Sequence, residues 1–401
     1  LTLLDSLMSR TFWIVLLIAF ANSLSFTVLI PILYLYGQQF GLNDFQTGLL
    51  FATYSAAQFF ATPVMGKLSD RYGRKPLLLI SLAGTVIANF LAGTATQASV
   101  LFFARFLDGI TGGNISVAQA IVSDTTPPER RAKAFGLFAA VTFGLGFTVG
   151  PVVSLGAQQI SLGAGFLASS ALAFVAFVIA AIALPESLKT QAPKSQNWLD
   201  LGLKNLITGL AMPKIGILLI INFMIGTTFN IFTFAFQPYY LRVLGQDNRS
   251  ITLLFFAFGL ISVAMQSKGI SFLTERLTLV KILLIGILSR SITFILMPIF
   301  PNIIYFVIIS LFFAVFNALV QPMITALISL NAKPEVQGTV LGLNLSYLNI
   351  SNAFGPIVAG AMVNQVQPST YAYPFYLSGV LTFSVLWFAI ASRQKYTPQS
   401  S

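Results

Sequence analysis

Residues 66–76 read Gly66-Lys-Leu-Ser-Asp-Arg-Tyr-Gly-Arg-Lys-Pro76, a charged segment between two long apolar runs. The runs on either side, at about 46–66 and 77–96, are each long enough to cross about 30 Å of hydrocarbon as a helix. The charges of the segment cannot enter lipid, so we expect a turn outside the bilayer. Its two glycines would permit a tight turn, and its proline suits the first turn of the next helix. The segment therefore predicts two membrane-crossing helices joined by a short turn.

Composition places the whole chain in a membrane. Only 8% of its 401 residues are charged and 56% are hydrophobic, with a mean hydropathy of +0.85. A soluble domain of this length needs more polar surface, with about 25% charged residues. The chain has no cysteine and no histidine, which excludes disulfides, thiolate metal sites and the usual imidazole proton relay. We expect no metal and no cofactor. Since no GxxxxGK[ST] loop occurs, ATP is not the energy source.

Apolar runs of membrane-crossing length recur along the chain and predict twelve transmembrane helices. The predicted fold class is therefore an all-α membrane protein, and the even count places both termini on one side. The predicted spans lie near 12–36, 46–66, 77–96, 99–123, 134–155, 165–184, 215–241, 250–266, 282–299, 303–328, 339–363 and 374–392.

The basic residues follow the predicted topology. The net charge is +11, yet of 22 lysines and arginines only Arg105 and Arg290 lie inside apolar runs, and Arg242 and Arg249 flank one loop. All the others fall at the termini or in alternate loops. This pattern predicts an integral protein of the cytoplasmic (inner) membrane with both termini cytoplasmic. The positive charge therefore indicates topology and gives no reason to expect a nucleic acid partner.

The two halves of the chain share short motifs at an offset of 205 or 206 positions. The motifs fall at equivalent places in the apolar pattern, which indicates a duplicated six-helix unit. We predict two pseudo-symmetric six-helix bundles, residues 1–188 and 214–401, joined by a cytoplasmic linker at 189–213, around a central cavity. The paired motifs are Asp70-Arg71 with Glu275-Arg276, Gly150-Pro151 with Gly355-Pro356, and Pro128-Glu129 with Pro334-Glu335.

The charged segment at 66–76 resembles the loop signature of the major facilitator superfamily. Further motifs along the first half are similar to those of the same superfamily, and that half looks most like the tetracycline/proton antiporters and their twelve-helix multidrug relatives. The resemblance implies the major facilitator fold and proton-driven efflux of a small molecule. It implies a gating role for Gly66, Asp70, Arg71, Gly73 and Arg74, a fourth-helix motif at Arg105, Gly109 and Gly112, an antiporter-type fifth-helix motif at Gly136, Gly144, Gly146, Gly150 and Pro151, and a sixth-helix end at Leu184-Pro-Glu-Ser187.

Three positions depart from the tetracycline antiporters. The resemblance places membrane-embedded acids of those relatives at positions that are Asn22, Ala88 and Arg290 in this chain. Those acids handle protons and cationic substrates in the relatives. The resemblance therefore does not by itself carry proton coupling or a cationic substrate over to this chain.

Three charged residues remain inside the predicted spans: Arg105, Asp108 and Arg290. Arg105 and Asp108 share a helix face, either as a mutually neutralising structural pair or as a proton site in which Arg105 tunes the acid. Arg290 has no partner three or four positions away. An anionic substrate group or Asp108 would be its partner.

Uncharged polar residues in the spans are candidates for the wall of a substrate cavity. A buried amide needs partners, so each marks either a contact between helices or a wet cavity. Asn344, Tyr347 and Ser351 share one face of the eleventh span. The other cavity candidates are Asn22, Gln58, Asn114, Asn317 and Gln321.

The sequence predicts a secondary active transporter, not an enzyme, that moves a small amphipathic organic molecule by alternating access. The expected partners are that substrate, protons and the lipid bilayer, and we expect a monomer. One alternative is an uncoupled facilitator or organic-anion exchanger, favoured by the missing acids and Arg290. Another is a non-transporting assembly factor or receptor, which would not need the charged loop signature or the duplicated motifs.

Overall fold

The computed structural model describes residues 9–188, 203–332 and 337–397. Within these ranges the chain is helical and contains no β-strand. The helices of the first half are α1 (Arg10–Thr27), α2 (Leu33–Gln39), α3 (Asp44–Tyr72), α4 (Arg74–Gly93), α5 (Ala98–Ile110), α6 (Asn114–Thr125), α7 (Pro128–Ala139), a π-helical turn (Ala140–Leu145), α8 (Gly146–Gln158) and α9 (Leu162–Ala183).

The second half continues the same pattern of long helices with short irregular turns. Its elements are α10 (Leu203–Ala211), α11 (Ile215–Pro238), a π-helical turn (Tyr239–Val243), α12 (Asn248–Ala264), a π-helical turn (Met265–Gly269), α13 (Ile270–Thr274), α14 (Leu279–Leu296), α15 (Ile303–Asn331), α16 (Gln337–Met362), a 3₁₀ turn (Pro368–Ala372), α17 (Tyr373–Ala391) and α18 (Arg393–Tyr396).

Helices occupy all twelve predicted spans. In the described ranges, nine stretches are long and apolar enough to cross a membrane. The three other predicted spans coincide with α3, with the α5–α6 pair and with α16. The all-α membrane fold is confirmed, and the count of twelve spans stays a prediction.

The turn predicted at residues 66–76 is wrong in length, because the observed turn is a single residue. Helix α3 continues through Gly66 and Asp70 to Tyr72, and only Gly73, with φ +109°, separates it from α4. At 29 residues, α3 is about 43 Å long, so its end extends beyond about 30 Å of hydrocarbon and can carry charge while staying helical. Gly73 is the one position of the segment that needs a glycine backbone.

Two predicted spans are interrupted. The first breaks between Thr27 and Leu33, where Pro31 lacks an N–H group and its ring crowds the preceding turn. The fourth breaks at Thr111–Gly113 between α5 and α6. The sequence reasoning treated both as continuous helices, because their hydropathy does not change at the break.

The chain divides into two compact units. Unit 1 comprises residues 1–41 and 56–201, and unit 2 comprises residues 42–55 and 202–401. The predicted boundaries at 188 and 214 remain predictions, since residues 189–202 of the predicted linker lie outside the described residues. Helix α10 falls inside that linker. The Pro334-Glu335 motif also lies outside the described ranges.

Each unit has its own apolar core. In unit 1, α1 packs on α8 and α9, and α4 packs on α9 and α5. In unit 2, α11 packs on α16 and α17, and α14 packs on α15 and α17. A cluster of phenyl rings around Phe232, Phe236 and Phe306 fills one part of the unit 2 core.

Candidate functional site

The break between α5 and α6 is held against α4. The Ser81 hydroxyl donates to the Thr111 carbonyl, and a methyl group on Gly84 would overlap the Thr111 side chain. At membrane depth, irregular backbone is tolerated only where protein covers it or where it lines a water-filled cavity. Broken helices of this kind mark the binding site in many transporters.

Asp108 and Arg105 lie within two turns of this break. Arg105 Nη1 is 3.4 Å from Asp108 Oδ2, and the two residues are 5% and 7% exposed. A charge at the centre of the bilayer costs at least about 2.5 kcal/mol, so the pair offsets a cost that either residue would carry alone. The contact is longer than the 2.7–2.9 Å of strong charge-assisted bonds, and so it leaves the carboxylate available to another partner.

Three predicted cavity residues meet around the same break. Asn114 Nδ2 donates to Asn22 Oδ1 at 2.8 Å, which joins the start of α6 to α1. Gln58 Nε2 donates to the carbonyl of Gly112 at 3.2 Å, which joins α3 to the break. Asn22 stands where the resemblance places an acid of the tetracycline antiporters, and here it is one half of an amide pair.

Two of the antiporter-type glycines, Gly146 and Gly150, form a close contact between α8 and α1, whereas Gly136 of α7 has open space around it. Gly146 faces Ser23 and Gly150 faces Thr27 so closely that a methyl group on either would overlap the partner side chain. Thr27 Oγ1 donates to the Gly146 carbonyl at 2.9 Å. Pro151 follows inside α8 and is buried. Small residues let helix backbones approach in this way within membranes.

Two of the predicted gating residues, Asp70 and Arg74, belong to an ionic network around Arg74, the first residue of α4. Its Nη1 is 2.5 Å from Asp70 Oδ1, and its Nε is 3.0 Å from Asp124 Oδ2. The Arg71 guanidinium lies over the Tyr72 ring at 5.2 Å. Asp124 directly follows the fourth predicted span and belongs to the Asp124-Thr-Thr segment that shares the family resemblance, which implied no specific role for it.

Glu186 is a residue of this network that the sequence reasoning missed. Its carboxylate accepts the backbone N–H groups of Arg74 at 2.9 Å and Lys75 at 3.1 Å, and so caps the start of α4. Partial burial raises the pKa of Glu186, but bonds from the backbone N–H groups of Leu188, Arg74, Lys75 and Ser187 outweigh it and hold the pKa below its usual value. A side chain on Gly73 would meet the same carboxylate. Glu186 is part of the Leu184-Pro-Glu-Ser187 motif, which was the sequence signal that could have indicated its role.

Arg290 lies in unit 2 and is 3% exposed. Its Nη2 donates to the Ile225 carbonyl of α11 at 3.2 Å. Its guanidinium lies 5.1 Å from the ring centre of Phe229 and 5.5 Å from that of Phe294. Such cation–π contacts are worth about 0.5–2 kcal/mol each. They reduce the cost of the buried charge without neutralising it.

The predicted residues of the eleventh span contact neighbouring helices. Asn344 Oδ1 accepts from Asn222 Nδ2 at 2.6 Å, and the Tyr347 hydroxyl donates to the Leu206 carbonyl at 3.0 Å. A second amide pair joins Asn230 Nδ2 to Asn352 Oδ1 at 2.8 Å. The sequence reasoning missed Asn222, Asn230 and Asn352. Two asparagines eight positions apart on each helix were the signal, since residues at this spacing lie within one broad stripe of a helix.

Asn317 and Gln321 differ from the other predicted cavity residues. Both are half-buried and lie one turn apart on α15. Neither side chain has a hydrogen-bond partner within residues 9–188, 203–332 and 337–397. An amide in a membrane span without a protein partner faces water at less cost than lipid.

Asp44 is a second buried carboxylate of the chain. It is the first residue of α3 and is 2% exposed. The Tyr371 hydroxyl donates to its Oδ2 at 2.8 Å, and the Arg242 guanidinium lies 5.9 Å from the Tyr371 ring centre. All three belong to unit 2. The sequence reasoning missed Asp44 because it directly precedes the predicted span at 46–66.

The comparisons with known proteins assign the family. The sequence model of the Major Facilitator Superfamily matches residues 15–213 and 218–401. The chain therefore belongs to the major facilitator superfamily, and it is an integral membrane transporter and not an enzyme. The family predicted from the sequence motifs is confirmed.

Known resistance proteins are similar to this chain over most of its length. The class E tetracycline resistance protein of Escherichia coli is 28% identical over 362 residues, covering 88% of this chain and 87% of that protein. Multidrug resistance protein 2 of Bacillus subtilis (strain 168) is 25% identical over 399 residues, covering 96% of each. The crystal structure of a bacterial homologue of the human lysosomal transporter Spinster has a TM-score of 0.77 at 18% identity, covering 98% of each chain. Because the sequence identity is only 18%, this structural similarity is evidence for the fold alone.

Proposed function

We propose that this transporter exports a small amphipathic organic molecule and that proton entry drives the export. The names of its relatives, which are tetracycline and multidrug resistance proteins, support export of such compounds. The observation that carries the coupling proposal is the buried Asp108, which lies beside the break between α5 and α6. Proton-driven transport requires a titratable group that gains and loses a proton, and broken helices often form the binding sites of transporters.

Asp108 is the proposed proton carrier and Arg105 its partner. When the site faces the side of higher pH, Asp108 loses its proton and the carboxylate pairs with Arg105, 3.4 Å away. When it faces the acidic side, protonation weakens this pair and frees the guanidinium. The amide pair of Asn22 and Asn114 and the Gln58 bond hold the neighbouring helices around the break. The proton would thereby change a contact at the irregular turn, where a small change can bias which side the site faces.

Flux into proteoliposomes under an imposed pH gradient tests this proposal. We expect Asp108→Asn to abolish uphill accumulation of tetracycline or 2-naphthoate and to leave exchange of the same compound down its gradient, because the amide resembles the protonated acid. Asp247→Asn is the matched control, since Asp247 is an exposed cap at the start of α12 and asparagine caps equally well. Uphill transport that survives in Asp108→Asn would contradict the coupling assignment.

The gating segment supports a second part of the proposal. Asp70 pairs with Arg74, which also binds Asp124, so the junction of α3 and α4 can act as a conformational latch. Glu186 ties the same junction to the end of α9. We include Gly66, Arg71 and Gly73 in this latch on the family resemblance.

We further propose that the chain is a monomer of the cytoplasmic membrane with both termini inside. The alternating distribution of lysine and arginine supports this orientation. The chain has no cysteine, so single cysteines can be labelled without background. One at Asp247 should react from outside only and one at Arg276 from inside only.

A further inference from the structure

Arg290 is a buried cation with an incomplete set of partners. It lies about 9 Å from the end of α14 at Leu296. No carboxylate lies within ion-pair distance among the described residues, and its buried Nε has no acceptor there. One terminal N–H group bonds to the Ile225 carbonyl. Buried charges persist where they are paired or bind a ligand, so the missing partner would come from outside the chain.

The surroundings of this cation are aromatic. Phe229 and Phe294 flank the guanidinium, with ring centres at 5.1 and 5.5 Å. Both rings also contact Phe313 of α15, at 6.5 and 5.4 Å between centroids. A positive charge beside several phenyl rings suits a ligand with an anionic group and a flat apolar body.

Helix α15 provides evidence of access for such a ligand. Asn317 lies one turn beyond Phe313, and Gln321 lies one turn beyond Asn317. Both amides are half-buried, and neither has a hydrogen-bond partner in the described part of the chain. Facing lipid would leave these groups unsatisfied, so the face of α15 that continues from Phe313 borders water.

We propose that Arg290 is an anion-binding subsite and that the transported molecule carries a carboxylate on an aromatic ring. This inference rests on the transport function proposed above and names the class of its substrate. The carboxylate would accept hydrogen bonds from Nε and a terminal nitrogen of the guanidinium, which matches carboxylate geometry. The ligand ring would pack against Phe229, which is half-buried, whereas Phe294 and Phe313 are buried in the core behind it.

Binding of three matched probes to the purified full-length protein tests the charge preference. The probes are 2-naphthoate, 2-naphthamide and 2-naphthylmethylammonium, which share one ring system and differ in charge. By isothermal titration we expect the wild type to bind 2-naphthoate about tenfold or more tightly than the amide, and the ammonium weakest. Equal affinities, or a preference for the ammonium, would overturn the proposal.

Substitutions of Arg290 test whether this residue causes the preference for the carboxylate probe. Arg290→Gln should bind the carboxylate and the amide equally, whereas Arg290→Lys should retain part of the preference. Arg276→Gln is the matched control, because Arg276 lies over the Phe272 ring at 4.0 Å but is exposed, and it should behave like the wild type. An Arg290→Gln protein that still prefers the carboxylate would overturn the assignment.

Thermal stability separates a ligand site from a structural anchor. Arg290→Met removes the charge and keeps an apolar side chain of similar length. We expect its ligand-free Tm to equal or exceed that of the wild type while 2-naphthoate no longer raises it. A lower Tm with an undiminished 2-naphthoate shift would show a structural role and overturn the proposal. Because these assays need no flux, they remain informative if proton coupling fails.

Discussion

Two helix interfaces at equivalent places in the duplicated halves are built differently. In unit 1, α1 meets α8 and the π-helical turn before it through hydroxyl groups that donate to backbone carbonyls, as in the Thr27–Gly146 contact at 2.9 Å. In unit 2, α11 meets α16 through two amide pairs, Asn222–Asn344 and Asn230–Asn352.

Both interfaces keep one common feature. Gly150 faces Thr27 in unit 1, and Gly355 faces Asn230 in unit 2, so the repeated Gly-Pro motif marks the same kind of close approach twice. The two interfaces differ in the hydrogen bonds that surround this close approach. A hydroxyl group can rotate to another carbonyl, and π-helical turns often mark functional sites. An amide pair between two side chains specifies one register. The comparison suggests that the α1–α8 interface moves during transport and that the α11–α16 interface stays together.

The largest effects are expected from side chains added at the two glycines. Gly150→Ala should reduce turnover more than tenfold and also lower the Tm, since the added methyl group overlaps Thr27 in an interface that moves. Gly355→Ala should mainly lower the Tm, by overpacking worth about 1–3 kcal/mol. Flux in proteoliposomes and Tm in detergent measure the two effects.

The same helices offer matched controls for the glycines. Gly156 of α8 and Gly342 of α16 have open space where a methyl group would lie. Gly156→Ala and Gly342→Ala should leave both flux and Tm near wild-type values, because alanine favours helix. If Gly150→Ala lowered only the Tm, the mobile interface would be wrongly assigned.

A smaller effect is expected from the amide pair. Asn344→Leu should destabilise the protein by about 1–2 kcal/mol, because it removes the 2.6 Å bond from the buried Asn222 amide and leaves that amide only the backbone carbonyl of residue 344 at 3.4 Å. The double variant Asn222→Leu with Asn344→Leu should recover part of that loss. Ser23→Ala, in the other interface, should change stability less, since the carbonyl of Thr142 keeps its helical environment. Additive losses in the double variant would speak against a coupled amide pair.

The smallest effect is expected from the side chains that cap the N-termini of α4 and α14. Glu186 caps α4 with a carboxylate, whereas Thr278 caps α14 with a hydroxyl that accepts from Lys281 N at 3.4 Å. Because the pKa of Glu186 is lowered by folding, its stabilisation is present above the unfolded value near 4.5 and is lost as the pH falls through the folded value.

Tm measurements across a pH series test this difference. Glu186→Gln should lower the Tm by about 2 °C at pH 7 and by progressively less below pH 4.5. Thr278→Val should lower it by an amount that does not change with pH, since a hydroxyl does not titrate there. A Glu186→Gln deficit that persists unchanged in acid would show that the charge of Glu186 is unimportant.

Much of the architecture was predictable because it depends on local patterns. The length of the apolar runs predicts membrane-spanning helices, and the 205-position offset predicts a repeated Gly-Pro contact that both units contain. The spacing of Arg105 and Asp108 places them on one helix face, where they pair. Family membership followed from the charged segment at 66–76.

The partners of the buried polar groups depended on tertiary structure. Nothing in the local sequence pairs Asn222 with Asn344, Glu186 with the start of α4, or Asp44 with Tyr371. Such contacts depend on how each helix is rotated and where it lies along its neighbour. Hydropathy carries little of that information, because lipid and protein core are both apolar and a span reads alike whichever face it turns inward.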